Sequence, residues 1–346
     1  MDFLHKYDFH LPLERVALKP AKSRDSSRLL VYDTSRDRVY FDVFRNLTKY
    51  LPPRSALVLN DTRVVPAALT LRKPTGGKVR ALLLMNELRP GAKSVQALVD
   101  RRVFKGQILG MSKNRHFQIV KQEGRLFKLR PDFPIARLRQ LLKTEGATPL
   151  PPYLKNSPLT ERTRRSRYQS VFSQKDSSVA APTASLHFTK SLLGRLRTKG
   201  FRHIFVTLHV GLGTFSPLSE ANFKKKKLHP EYYTVPKSTL VLLRRAKNRK
   251  QPVIAVGTTV TRALESSIQN RRSGLTKTEL FIFPPYKFRA IDGMITNFHL
   301  PRSSLLCLVD AFLRNKKARK NWRELYDLAI QKKFRFYSFG DAMLIL

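Results

Sequence analysis

The chain has 346 residues, 42% of them apolar, which excludes an intrinsically disordered protein and allows two domains with buried cores. No apolar run approaches the ~20 residues that cross a bilayer. The single cysteine, Cys307, excludes an internal disulfide, and the formal charge of +43, from 67 Lys and Arg against 24 Asp and Glu, favours a polyanionic partner, nucleic acid first.

The opening segment "MDFLHKYDFHLPLERV" is interrupted by His, Asp and Glu, unlike a secretory leader, so a cytoplasmic protein without a membrane anchor is expected. "LNDTR" then gathers Asn60, Asp61 and Arg63 at a strand end, a pattern that fits an Asx turn as well as a site. Over about residues 69–130 the chain alternates in short steps, "KVRALLLM", "SVQALVD", "GQILG", "HFQIV" and "RLFKLR", separated by "TGG", "RPGAK" and "QEG". Short strands at that spacing predict a small antiparallel β-barrel. "PIARLRQLLKTEG" follows as a helix entered by proline and closed by glycine. Next, "ERTRRSRYQ" reads as a cationic loop with an aromatic in it, either solvated or touching phosphate.

Beyond Phe188 the rhythm changes. A helix opens at Thr189 as N-cap and closes at Gly200, and the strand "FRHIFVTLHV" follows. After a basic loop of Lys224, Lys225, Lys226 and Lys227 come the helix "KSTLVLLRRAKNRK", the strand "PVIAVGTT", the helix "TRALESSIQN" and the strand "ELFIFP". Two helical stretches, "SSLLCLVDAFL" and "NWRELYDLAIQKK", close the chain. This alternation predicts an α/β body with a mixed, largely parallel sheet or a distorted α/β barrel. The body occupies residues 1–62 and 149–346, and the β-barrel domain is inserted as residues 63–148. There is no internal repeat.

In α/β folds ligands lie beyond the carboxyl ends of parallel strands. The segments "HVGLGTF", "GTTVTR" and "TNFHLP" occupy such places and would bring His209, Thr258, Thr259, Arg262, Asn297 and His299 to one edge. Gly211, Gly213 and Gly257 beside them would let a ligand approach the backbone. His187 precedes a helix start. Each of these histidines alone also fits a structural residue bonded to its surroundings. Three together predict that at least one takes part in proton transfer. No histidine or cysteine spacing supports a zinc site. Cys307 fits core packing in an apolar helix, and Arg262 with Glu265, three apart, fits an intrahelical ion pair.

Ten segments stand in an order that resembles the S-adenosylmethionine:tRNA ribosyltransferase-isomerase family of queuosine biosynthesis. They are "RDSSRLLVYD", "VLNDTRVVPA", "TPLPPY", "RYQSVF", "VAAPTASLHFT", "TLHVGLGTF", "LHPEYY", "VGTTVTRALES", "DGMITNFHLPRSSLL" and "FRFYSFGDAMLI", and they span nearly the whole chain. The resemblance implies a cytoplasmic, monomeric enzyme with an α/β body and an inserted β-barrel. Its substrate would be tRNA carrying 7-aminomethyl-7-deazaguanine at the wobble position. It would transfer and isomerise the ribosyl part of S-adenosylmethionine onto that base, releasing adenine and methionine and leaving epoxyqueuosine. S-adenosylmethionine is consumed as a substrate, and neither a metal nor another cofactor is implied.

On this reading His187 or His209 is the expected general base, with His299 and Asp61 as alternatives for protonating adenine. Asn60, Arg63, Thr183, Gly211, Gly213, Thr214, Thr258, Thr259, Arg262, Glu265 and Asn297 would bind substrate. Arg162, Arg164, Arg165, Arg167, Lys224, Lys225, Lys226 and Lys227 would hold tRNA phosphates. Ser178, Ser185 and Pro285 stand where the family pattern has glycine, which predicts local differences near His187 and Tyr286. Ala68, Arg80 and Cys307 also depart from it. Two other classes fit parts of the sequence: an RNA-binding protein that uses charge alone, and a methyltransferase, whose Gly-rich first loop is missing here.

Overall fold

Four apolar segments lie side by side and parallel at the centre of the body: Arg202–His209, Ala56–Asn60, Val253–Val256 and Gly293–Asn297. They read as continuous apolar runs because both faces of the sheet are covered. Leu57, Leu59, Ile254, Val256 and Ile295 pack on one face against Phe188, Leu192 and Leu196. Val58, Ala255 and Met294 pack on the other, against Val260, Leu264 and Tyr326. A computed structural model describes residues 5–211, 213, 218–270 and 273–346 of this chain.

Antiparallel strands extend the parallel centre into a nine-stranded open sheet. Lys227–Val235 and Gly274–Leu280 add to one side. On the other, Ala342–Ile345 runs against Gly293–Asn297 and alongside Arg28–Asp33, which pairs with Arg38–Val43. The body is therefore the mixed open sheet of the two architectures expected.

Several elements differ from the sequence expectation. The segment "ERTRRSRYQ" holds a helix, Glu161–Arg167, whose N-cap Thr160 accepts the Thr163 N–H. The basic run is divided: Lys224 and Lys225 end the helix Glu220–Lys225, Lys226 is left-handed at φ 52°, and Lys227 opens a strand. That strand interleaves His, Pro and Glu with its apolar residues, so no two-residue period stands out. The strand in "ELFIFP" starts earlier, at Gly274, and stops at Leu280. The chain ends on the short strand Ala342–Ile345, whose four apolar residues carry no period to read.

The inserted segment closes into a six-stranded barrel from Ala68–Arg72, Lys78–Leu83, Val95–Val99, Ile108–Gly110, His116–Glu123 and Leu126–Pro131. Alternate residues such as Leu69, Leu71, Val79, Ala81, Phe117 and Ile119 fill it, and Leu138 and Leu142 of the helix Leu138–Glu145 join that core. Where the chain leaves the barrel, Ala147 and Ala68 exchange backbone hydrogen bonds of 2.8 and 3.1 Å. Gly146 makes this closure possible, since a Cβ there would sit 1.8 Å from the Pro66 carbonyl oxygen. Gly146→Ala should therefore cost about 3 kcal/mol, read as a lower urea midpoint at unchanged slope.

Candidate active site

The carboxyl ends of two neighbouring strands are laced together crosswise. Asp61 accepts a hydrogen bond from the Thr207 hydroxyl at 2.6 Å, and the Thr62 hydroxyl lies 2.7 Å from Nδ1 of His209. Alternation places Asp61, Thr207 and His209 on the sheet face that also carries Leu57 and Leu59. Burial raises the Asp61 carboxyl above its usual range, although Lys175 opposes it. Burial first, then Arg139 and Arg89, lower the His209 imidazole to about 4. His209 is half-buried, and its Nε2 has no hydrogen-bond partner among the described residues.

Beside this pair a cleft of about 280 Å³ opens between body and barrel, with Arg63, Arg139, Lys143 and Arg165 on its walls and Met85 and Leu142 among its apolar lining. Gln169 braces one wall, its amide accepting the Val64 N–H at 3.0 Å and donating to the Val64 carbonyl at 2.8 Å. Arg139 spans the two domains, donating to the Ser177 hydroxyl at 3.2 Å and the Asp176 carbonyl at 3.4 Å. Arg63 pairs with Asp176 at 3.7 Å.

The other two histidines are enclosed. Nε2 of His187 lies 3.1 Å from Oδ1 of Asn297, whose Nδ2 donates to the carbonyls of Tyr337 and Ser338 at 2.9 and 3.4 Å. Those two acceptors fix the amide, so His187 carries its proton on Nε2 and accepts at Nδ1 from the Ser27 hydroxyl, 2.7 Å away. Burial lowers this imidazole to about 4. Thr183 starts the short helical turn Thr183–His187 that delivers it. His299 lies on the opposite sheet face, with Nε2 2.7 Å from the Thr296 hydroxyl and its backbone N–H donating to the Tyr326 hydroxyl at 3.0 Å. Burial alone lowers it to about 3.

The single edge expected from the sequence thus divides between two faces, because consecutive residues at a strand end point to opposite sides. Asp61, His209, His187 and Asn297 lie on one face; Asn60, His299 and the buried helix Thr258–Asn270, with Thr258, Thr259, Arg262 and Glu265, lie on the other. Asn60 is a brace. Its amide bonds to the backbone of Leu208 in both directions, to the Thr62 N–H and to the Thr259 hydroxyl.

The intrahelical pair of Arg262 with Glu265 does not form. Arg262 pairs with Glu231 and donates through Nε to the Leu280 carbonyl at 3.1 Å. Glu265 accepts the N–H groups of Arg289 and Ala290 at 3.0 and 2.8 Å. The helix is buried, so each charge turns to a partner off the helix. Glu231 also accepts the Gly211 N–H at 2.9 Å, and a Cβ on Gly211 would meet Nδ2 of Asn86 from the barrel at 2.7 Å. Gly213 lies against His229, and Thr214 falls outside the described residues.

Three of the four arginines expected to hold phosphate turn inward. Arg164 donates to the Ser157 carbonyl, Arg165 to Glu161 and the carbonyls of Lys143 and Gly146, and Arg167 to those of Ala21 and Lys22. Arg162 is exposed, as are Lys224, Lys225 and Lys226, whereas Lys227 pairs with Glu279 at 2.8 Å. The sequence did not single out Thr62, Arg89, Arg139 or Glu231. They are scattered over separate elements: Arg89 and Arg139 were legible only within the general excess of cations, and Thr62 in "LNDTR" and Glu231 in "LHPEYY" lay in quoted segments without a pattern that marked them. Ser178 and Ser185 have no positive φ, and the Ser178 hydroxyl accepts the Val210 N–H at 2.9 Å and donates to the Ala180 carbonyl at 2.7 Å. Serine therefore fits at 178, whereas the buried Ser185 hydroxyl has no hydrogen-bond partner among the described residues.

No helix among the described residues is long and apolar enough to cross a membrane. The molecule is an α/β protein whose body sets the Asp61 carboxyl and the His209 imidazole at the ends of neighbouring strands and meets a β-barrel across a cationic cleft. The family model described as queuosine biosynthesis protein matches residues 4–345. The S-adenosylmethionine:tRNA ribosyltransferase-isomerase of Thermotoga maritima is 40% identical over 346 residues, 99% of each chain. The protein of the same name from Rubrobacter xylanophilus is 43% identical over 343 residues, covering 98% of this chain and 96% of the other. A crystal structure of S-adenosylmethionine tRNA ribosyltransferase from Thermotoga maritima superposes with a TM-score of 0.56 at 32% identity, covering 99% and 100% of the two chains. The chain belongs to this queuosine biosynthesis family and is an enzyme of tRNA modification in its S-adenosylmethionine-using ribosyltransferase-isomerase class.

Proposed function

We propose that the chain transfers and isomerises the ribosyl part of S-adenosylmethionine onto 7-aminomethyl-7-deazaguanine at the wobble position of tRNA. Adenine and methionine leave, and epoxyqueuosine remains in the tRNA. The observation that supports this placement of the chemistry is the pair His209 and Asp61, adjacent and pushed in opposite directions by their surroundings. The sulfonium acidifies the hydrogens of the ribose carbon bonded to sulfur; with Nδ1–H donating to the Thr62 hydroxyl, Nε2 of His209 is the nitrogen that takes one. Asp61, whose carboxyl burial pushes above its usual range against the opposing Thr207 hydroxyl and Lys175, is the group assigned to pass a proton to the departing adenine. The glycosidic bond breaks with its electron pair on adenine. The fragment then rearranges to the epoxide-bearing ring as the aminomethyl nitrogen bonds to it and gives its N–H proton to the Asp61 carboxylate, and the carbon–sulfur bond breaks with its electron pair going to methionine.

His187 and Asn297 lie on the same face as this edge, Asn60 braces it from the opposite face with Thr258, Thr259, Arg262 and Glu265, and Thr183, Gly211 and Gly213 are assigned to substrate although none of them lines the cationic cleft. The modified base leaves the anticodon stack through the cleft, its phosphates near Arg63, Arg139 and Lys143, with Arg162, Lys224, Lys225 and Lys226 farther out. The inserted domain is residues 63–148. A monomeric, cytoplasmic enzyme is part of this reading.

Incubation with S-adenosylmethionine and precursor-bearing tRNA should release free adenine and methionine, followed by chromatography, in equal amounts with the modified nucleoside. S-adenosylhomocysteine as product would replace this reading with methyl transfer. Tight tRNA binding without adenine would replace it with a non-catalytic RNA-binding protein.

A further inference from the structure

The barrel end remote from the body carries cations and an exposed ring that the reaction does not use. In the pair Lys78–Leu83 and Val95–Val99, Leu83 faces Ala97 and Ala81 faces Val99. The cleft residue Met85 therefore lies at one end of these strands and the loop 100–106 at the other, where the Asp100 N–H donates to the Arg80 carbonyl at 3.1 Å. Strands of this length separate the two ends by roughly 17–20 Å.

In that loop Phe104 is 56% exposed, with the Arg102 guanidinium 5.2 Å from its ring centroid. Arg101, Arg102 and Lys105 are exposed around it, and Lys73 from the neighbouring turn donates to the Arg102 carbonyl at 2.8 Å. Asp100 is the loop's one carboxylate, and it accepts the Arg80 N–H at 2.8 Å. A ring framed by cations suits a partner that offers both flat aromatic faces and dense negative charge. Single-stranded RNA offers both, because unpaired bases stack on aromatic side chains while the backbone follows the cations.

We propose that loop 100–106 is a second tRNA contact: Phe104 stacks an unpaired base, and Arg101, Arg102 and Lys105 hold the flanking phosphates. This rests on tRNA being the substrate, and it adds to the catalytic edge an anchor at the far end of the inserted domain. Phe104→Ala should raise both the tRNA Kd and the tRNA KM about tenfold. The kcat at saturating tRNA, the KM for S-adenosylmethionine and the melting temperature should not change. Phe104→Trp should restore wild-type affinity. Replacing Arg101, Arg102 and Lys105 with serine should flatten the slope of log Kd against log salt by about 2. A Kd within twofold of wild type for Phe104→Ala, or an unchanged salt slope for the triple variant, would overturn the proposal. Filter binding decides this independently of adenine release, so failure of the loop and failure of the enzymatic reading are separable.

Discussion

His209→Gln should lower kcat for adenine release by about 10²–10⁴-fold, the range lost when a positioned proton acceptor is removed. The tRNA Kd and the melting temperature should stay near wild type, because the side chain is half-buried and its one hydrogen bond among the described residues is to Thr62. The pH profile separates a base from a structural residue. With the imidazole lowered to about 4, chiefly by burial, the acid limb of kcat/KM should lie near that pH instead of at the usual ~6.5. Arg139 also disfavours the protonated ring, so Arg139→Gln should move the limb to higher pH. His299→Gln should leave kcat within threefold, since that ring is buried and its Nε2 faces the Thr296 hydroxyl. If His209→Gln keeps turnover within threefold of wild type, or Arg139→Gln leaves the limb in place, the proton acceptor lies elsewhere.

Local signals in the sequence reached the fold well. Thr189 caps its helix as its hydroxyl predicted, the alternation over residues 69–130 became the barrel, and the apolar runs became the parallel centre of the body. What a one-dimensional pattern does not carry is which face a strand-end side chain takes. Asn60 and Asp61 are neighbours in sequence, yet one braces Thr259 and the other accepts from Thr207 across the sheet. The arginines of Glu161–Arg167 show the same limit from another side. Their charge was legible, but not the free carbonyls of Gly146, Ser157 and Ala21 that fold back to meet them. Arg139 and Arg89 gain their importance only when the barrel is set against the body, because their influence on His209 crosses the domain boundary.

The same enclosure that removes His187 and His299 from the chemistry should make the protein unstable in acid. Unfolded, each imidazole binds a proton near pH 6.5; folded, burial holds them at about 4 and about 3, even though Asn297 and Asp341 pull His187 upward. The unfolded state therefore binds more protons between these values, and stability rises with pH across that window. The contribution is fully present above pH 6.5 and is lost as pH falls toward 4, at about 1.4 kcal/mol per pH unit for each ring. By pH 4 the two together remove roughly 7 kcal/mol, comparable to the whole stability of a typical domain. A formal charge of +43 adds self-repulsion in the same direction as carboxylates lose their charge. The doubly substituted His187→Gln, His299→Gln protein keeps amide groups at both sites and removes both titrations. Its urea midpoint should fall less between pH 7 and pH 5 than that of the wild type, with an acid-unfolding midpoint at least half a pH unit lower. Equal pH dependence in the two proteins would show that protonation of these two buried rings does not drive acid unfolding.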